Sequence, residues 1–140
     1  MLVRLPCYCA SLRQATRVLS LMYDAALRPA DLTITQFTLL TALAQLPRAR
    51  VNDLAEALAM DQTTLSRTLK LMQRDRLITR VVGEDRRESH WVMSAEGRAR
   101  LRRALPRWKA AQKQVEAMLG TKGAQDMGAV AFELSKRFAA

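Results

Sequence analysis

Five short or basic side chains fall within eight residues of one another: Thr63, Thr64, Ser66, Arg67 and Lys70, with Gln62 beside them. Short hydroxyls donate and accept hydrogen bonds while letting a backbone come close to its target. A guanidinium presents a rigid fork of donors that fits a phosphate or the edge of guanine. Further along, the stretch GEDRRESH sets Arg86 and Arg87 side by side. An arginine on a protruding turn can enter a narrow minor groove, where the potential is most negative. Asp85 in the same stretch can accept hydrogen bonds and hold the turn. Each cluster taken alone also fits a capped helix start or a solvated charged turn. Enzyme chemistry finds little to work with: one histidine, His90, no glycine-rich phosphate loop, and no paired-carboxylate or nucleophile motif. The expectation is a non-enzyme without cofactor.

Charge points the same way. The 140-residue chain carries a net +10. Residues 61–110 hold 13 Lys/Arg against 6 Asp/Glu, a net +7, whereas the first 60 residues give +2 and the last 30 give +1. A positive footprint centred on the hydroxyl cluster suits a polyanion. Apolar residues make up 49% and aromatics 5%, a balance suited to helices with Leu/Ala cores. The length fits one domain. No window is apolar enough for a membrane span, and MLVRLPCYC lacks the apolar run of a signal peptide, so a cytoplasmic protein is expected. Cys7 and Cys9, with a single histidine, cannot build a standard structural zinc site, and no metal is expected.

The positioning elements follow from periodicity. Leu12, Ala15, Leu19, Met22, Tyr23 and Ala26 recur at helical spacing between Cys9 and Leu27. A second helix, capped by Thr33 or Thr35, carries Phe37, Leu40 and Leu43 and closes at Pro47. A short third helix is expected from Asn52, as N-cap, to Ala59. Asp61 caps a fourth, in which Leu65, Leu69 and Met72 face inward and Thr63, Arg67, Lys70 and Arg74 face outward. Ile, Val, Thr and Trp then dominate on both sides of Gly83-Glu84-Asp85, which reads as two antiparallel strands joined by a charged turn. Ser94 caps a long helix with an expected seam at Leu101, Leu105, Trp108, Gln112, Val115 and Leu119, bent or loosened at Pro106. After Gly120 a last helix sets Met127, Val130, Ala131, Leu134 and Phe138 on one side.

Two short helices joined by a tight turn and followed by a strand-turn-strand make a winged helix-turn-helix. The fold class is therefore mainly α with a small β-hairpin wing. The fourth helix, polar and narrow at its start, can enter a major groove about 12 Å wide. The stretches LTITQFTLLTAL, VNDLAEALAMDQTTLSRTLKLMQRDRLITR and GEDRRESHWVMSAEG, with the long helix after them, occur here in the order found in the MarR family of bacterial transcription regulators, which the chain resembles over nearly its whole length. The family's wing element Asp-x-Arg matches Asp85 and Arg87, and its recognition-helix pattern matches Thr64-Leu65-Ser66-Arg67. Ser94 replaces a family-typical Thr, and Arg76 stands where the family usually has Gly.

The resemblance implies a single MarR-type domain, with a dimerisation lobe from about 1–30 and 100–140 and a winged helix-turn-helix from about 33–96. It implies a homodimer on a pseudo-palindromic operator of double-stranded DNA, acting as a repressor released by a small organic molecule held between the lobes. Candidate walls for that molecule are Arg13, Arg17, Tyr23, Phe37, Leu40 and Trp91. A thiol-based alternative uses Cys9. A peroxide-sensing branch of the family has a reactive cysteine early in the first helix and a tyrosine 14 residues later, as Cys9 and Tyr23 are here; a second tyrosine expected four residues after the cysteine is Arg13. Cys7, two residues from Cys9, would point away from it on a helix. A winged-helix module that binds protein instead of DNA is the remaining alternative.

Overall fold

The computed structural model describes residues 1–85, 87 and 89–138. Arg86, a candidate DNA contact, lies outside the described residues. The chain runs through helices α1 (Tyr8–Leu27), α2 (Ile34–Gln45), α3 (Val51–Leu58) and α4 (Gln62–Arg74), strands β1 (Ile78–Val81) and β2 (His90–Met93), then helices α5 (Ala95–Leu119) and α6 (Thr121–Phe138). This is the mainly helical winged helix-turn-helix expected from the sequence. No described helix is long and apolar enough to cross a membrane.

Local chemistry fixes most of the boundaries. Thr33 and Gln36 cap α2 reciprocally: the Gln36 N–H donates to Thr33 Oγ1 (3.2 Å) and the Thr33 N–H to Gln36 Oε1 (3.0 Å). Asp24 Oδ1 accepts the Ile34 N–H at 2.7 Å, which ties α1 to the start of α2. Helix α3 departs from expectation. Its N-cap is Arg50, and Asn52 sits exposed in the first turn. The reason is Asp53, whose Oδ2 reaches back to accept the Arg50 N–H at 3.0 Å and so starts the helix two residues earlier. Asp61 caps α4 as expected, accepting the Thr64 N–H at 3.0 Å.

A single core joins the helix-turn-helix to the hairpin. Leu27, Leu40, Leu54, Leu65, Leu69 and Leu77 are fully buried within it. The strands pair antiparallel, Ile78 opposite Met93 and Val81 opposite His90. Trp91 extends the pairing, its N–H donating to Ala49 O at 2.8 Å, so the hairpin is fastened to the segment leading into α3. Ser94 then does two things at once. It accepts the Gly97 N–H at 3.0 Å, capping α5, and its hydroxyl lies 2.6 Å from Arg76 O and 2.9 Å from Leu77 O. Gly97 is required by this junction, since a Cβ there would lie 2.2 Å from the Leu77 carbonyl oxygen.

Helix α5 continues through Pro106. Of the expected seam Val115 is buried, Leu101 and Trp108 pack on the core and Gln112 is half-buried, but Leu105 and Leu119 are 40% and 51% exposed, and Ala104 and Ala111 take the buried positions instead. A heptad seam assumes one partner. Helix α5 meets α1, α2 and α6, and small residues at 104 and 111 let it approach them.

Candidate nucleic-acid interface

The start of α4 is open. Gln62, Thr63, Thr64, Arg67 and Lys70 are exposed and Ser66 is half-buried, while Leu65, Leu69 and Met72 on the other side are at most 1% exposed. One helix is thus fixed by its apolar face and free along its polar one. The hydroxyl and N–H of Thr64 hold the Asp61 carboxyl below its usual range. A charged cap therefore fixes the backbone at the end of the helix that would enter a groove. In the wing, Asp85 Oδ1 accepts the Arg87 N–H at 3.1 Å, the turn-holding role expected for it.

Between the start of α3, α4 and the hairpin lies an open cleft of about 540 Å³. Its walls include Lys70 and Arg87, expected from the sequence, and Arg50 and Arg80, which were not singled out there. Arg80 contributed to the positive charge of residues 61–110 without being placed. Arg50 had no local signal, because its position depends on the unexpected start of α3.

Of the six candidate ligand-wall residues, Phe37, Leu40 and Trp91 share the core cluster, and the six do not line one cavity within the chain. Arg13 and Arg17 are exposed on α1, and Leu40 is wholly in the core. Trp91 lines the basic cleft. The Tyr23 hydroxyl donates to Gln112 Oε1 on α5, and burial, then the negative charge of Glu116, pushes the phenol pKa up. Phe37 alone borders a separate groove of about 500 Å³ between α2, α3 and α5. There it stacks on Trp108, with ring centroids 5.7 Å apart and planes at 22°. The sequence pattern places Trp108 only on the α5 seam. The groove also takes Thr38, Thr41 and Gln45 and has no charged lining residue.

Cys7 and Cys9 are both exposed free thiols. Cys7 is not on the helix but ahead of it, as the extended N-cap of α1, so the helical argument that turned it away from Cys9 does not apply. Fourteen residues of helix put Tyr23 about 21 Å along the axis from Cys9, so the two do not meet within one chain. Among the described residues, no cluster of His, Cys, Asp and Glu could hold a metal ion.

Comparison with known proteins adds to this geometry. Residues 30–88 match the family model described as MarR family. The chain is 34% identical to the transcriptional regulator MosR of M. tuberculosis in a crystal structure with DNA, with a TM-score of 0.81 over 94% of this chain and 98% of that one. The MepR–DNA complex of S. aureus shares the fold at 20% identity and a TM-score of 0.74, covering 94% and 96% of the two chains. The repressor CouR, bound to p-coumaroyl-CoA, does so at 18% identity and 0.82, covering 94% of each. No curated protein matches the chain. The polar face of α4, the hairpin beside it and the full-length likeness to MosR together place the chain in the MarR family of DNA-binding transcription regulators.

Proposed function

We propose that this protein is a cytoplasmic, sequence-specific repressor that binds a pseudo-palindromic operator as a homodimer and releases it when a small organic molecule binds. The observation that carries the DNA reading is the division of α4, with its apolar side closed inside the chain and its hydroxyls and cations open beside a basic hairpin. Gln62, Thr63, Thr64, Ser66 and Arg67 would face the major groove, and Arg87 the minor groove or its phosphates. Arg67→Ala is expected to weaken specific operator binding by about 1–3 kcal/mol with unchanged thermal stability. Wild-type affinity from the folded variant would remove Arg67 from the site. Salt-insensitive or absent binding to duplex DNA would favour a protein-interaction module instead.

Support for the homodimer comes from what the chain leaves uncovered. Val18 and Leu21 on α1 are 63% and 72% exposed, and Val130 and Phe132 on α6 are 68% and 64% exposed. Apolar side chains concentrated this way mark an association surface. The proposed dimerisation lobe thus spans about 1–30 and 100–140, and the DNA-binding lobe about 33–96.

The effector reading rests on the groove between α2, α3 and α5. Its walls join the helix-turn-helix to the long helix, so a molecule seated on the Phe37–Trp108 stack would bias how the two are set. Trp108→Ala should then abolish effector-driven release without abolishing operator binding. The two exposed thiols support a second reading, release by oxidation at Cys9. Organic hydroperoxide applied to DNA-bound wild type and Cys9→Ser separates the two. Release of the wild type alone would assign the signal to the thiol.

A further inference from the structure

We infer that the cleft between the start of α3, α4 and the hairpin seats one backbone phosphate of the DNA, held jointly by Arg50, Lys70, Arg80 and Ser89. This rests on the DNA reading above and adds a phosphodiester site to it. Three elements supply the cations: Arg50 caps α3, Lys70 lies on α4, and Arg80 lies on β1. Arg87 adds a fourth at the rim. Among the described residues no carboxylate lines the cleft, and none of these four cations makes an ion pair. Asp53 and Asp85 accept backbone N–H groups of Arg50 and Arg87, and the four side-chain charges converge on the cleft from three elements.

Two further features suit an oxyanion. Ser89 also lines the cleft, and its Oγ is buried without a hydrogen-bond partner among the described residues. A buried donor left unmade is costly, and an acceptor arriving from outside would satisfy it. Asn52 stands at the lip in the first turn of α3, ahead of the first intrahelical bond, made by the Leu54 N–H to Arg50 O at 3.1 Å. The amides of that turn point out of the positive end of the helix. A phosphate fits this set better than a base edge does. It offers charge and several acceptors in one compact group; of the proposed base-reading hydroxyls only Ser66 also borders the cleft, while Thr63 and Thr64 lie outside it. One phosphate would then lock the hairpin to the recognition helix and set the angle at which the wing meets the minor groove.

The test uses the full-length protein and operator duplexes in which each backbone phosphate in turn is replaced by a neutral methylphosphonate. One position per half-site should weaken wild-type binding markedly. On the unmodified operator, Arg50→Ala and Arg80→Ala should each flatten the slope of log K against log salt, and the double variant by no more than about one unit, the share of one phosphate. On the duplex neutralised at that position, neither should have any further effect. Arg50→Lys and Arg80→Lys keep the charge and should recover the slope, which separates lost contacts from lost folding. Ser89→Ala should lower operator affinity several-fold while the free protein melts no earlier than wild type. Unchanged slopes for both alanine variants, sensitivity of the two arginines to different phosphates, or an Ser89→Ala variant with full affinity would overturn the cradle. If the wild type itself shows no salt-dependent duplex binding, the DNA reading has failed and the cradle fails with it.

Discussion

Helix α4 keeps Leu65, Leu69 and Met72 at or below 1% exposure and turns hydroxyls and cations outward, whereas α6 leaves Met127, Val130, Phe132 and Leu134 between 39% and 68% exposed. Both are amphipathic. The difference is what each still lacks. The inward apolar positions of α4 are closed inside one chain, with Leu71 alone among its leucines and methionines left 50% exposed, and the start of its outer face suits a charged, hydrated partner. The face that α6 presents is the kind that folding normally removes from water. In this reading one chain folds its own DNA-reading helix but requires a second copy to cover α6. A single helix, α5, starts at the first region and ends at the second, so the comparison can be tested at the junction, at the outer face and at the ends of α4.

The junction should be the most sensitive. Gly97→Ala drives a methyl group to 2.2 Å from the Leu77 carbonyl oxygen, which is backbone and cannot rotate aside. Overpacking of this kind costs about 1–3 kcal/mol or more, and the upper end is expected here because the Ser94 cap is anchored to the same carbonyl. Urea unfolding measures the loss. A fully stable Gly97→Ala protein would show that α5 can pull away from the end of the recognition helix without penalty.

The outer face should separate assembly from folding. Val130→Asp places a charge where 68% of the side chain is exposed in the single chain, so the fold of that chain has little reason to change. Sedimentation should show a shift from dimer to monomer at micromolar concentration, with an unchanged helical circular-dichroism spectrum. Operator affinity should fall steeply, because two half-sites bound through one dimer reinforce each other. A variant that stays dimeric would break the contrast between α4 and α6. One that unfolds would show that the face is needed inside the chain.

The sequence was most informative where structure is decided locally. Thr33, Asp61 and Ser94 were recognisable as caps because an N-cap is satisfied by amides two or three residues away. The inward positions of α4 were legible for the same reason, since four-residue spacing alone puts Leu65 and Leu69 on one side. Legibility ended where three-dimensional neighbours choose. Asn52 is a better intrinsic cap than Arg50, yet Asp53 reaching back selected the earlier start. Phe37 and Trp91 share the core but border different clefts: Trp91 lines the basic one beside the hairpin, and a residue of α5, Trp108, stacks on Phe37 in the aromatic groove. Arg50 and Arg80 were missed because the cleft that unites them is assembled from parts of the chain 30 residues apart.

The smallest expected effect lies at the two ends of α4. Ala59 precedes it at φ 51° and Arg76 follows it at φ 63°, both in the left-handed region that favours glycine. At the second end the strained residue lets the Leu77 N–H return to Met72 O at 3.0 Å and turns the chain into β1. The geometry is the one a glycine would adopt, so the absence of glycine at 76 has not changed the way the helix stops. It has added strain of about 1–2 kcal/mol for a side chain in that region. Glycine would remove that strain but cost part of it back through greater freedom in the unfolded chain. Arg76→Gly should therefore stabilise the protein by about 0.5–1 kcal/mol, raising the melting temperature by a few degrees. Operator affinity should stay unchanged if, as proposed, the bases are read from the opposite end of the helix. A more stable protein with weakened DNA binding would instead mean that the Arg76 side chain reaches the backbone of the DNA. The interface would then extend along the whole length of α4, and the strain would be the consequence of a contact that only an arginine makes.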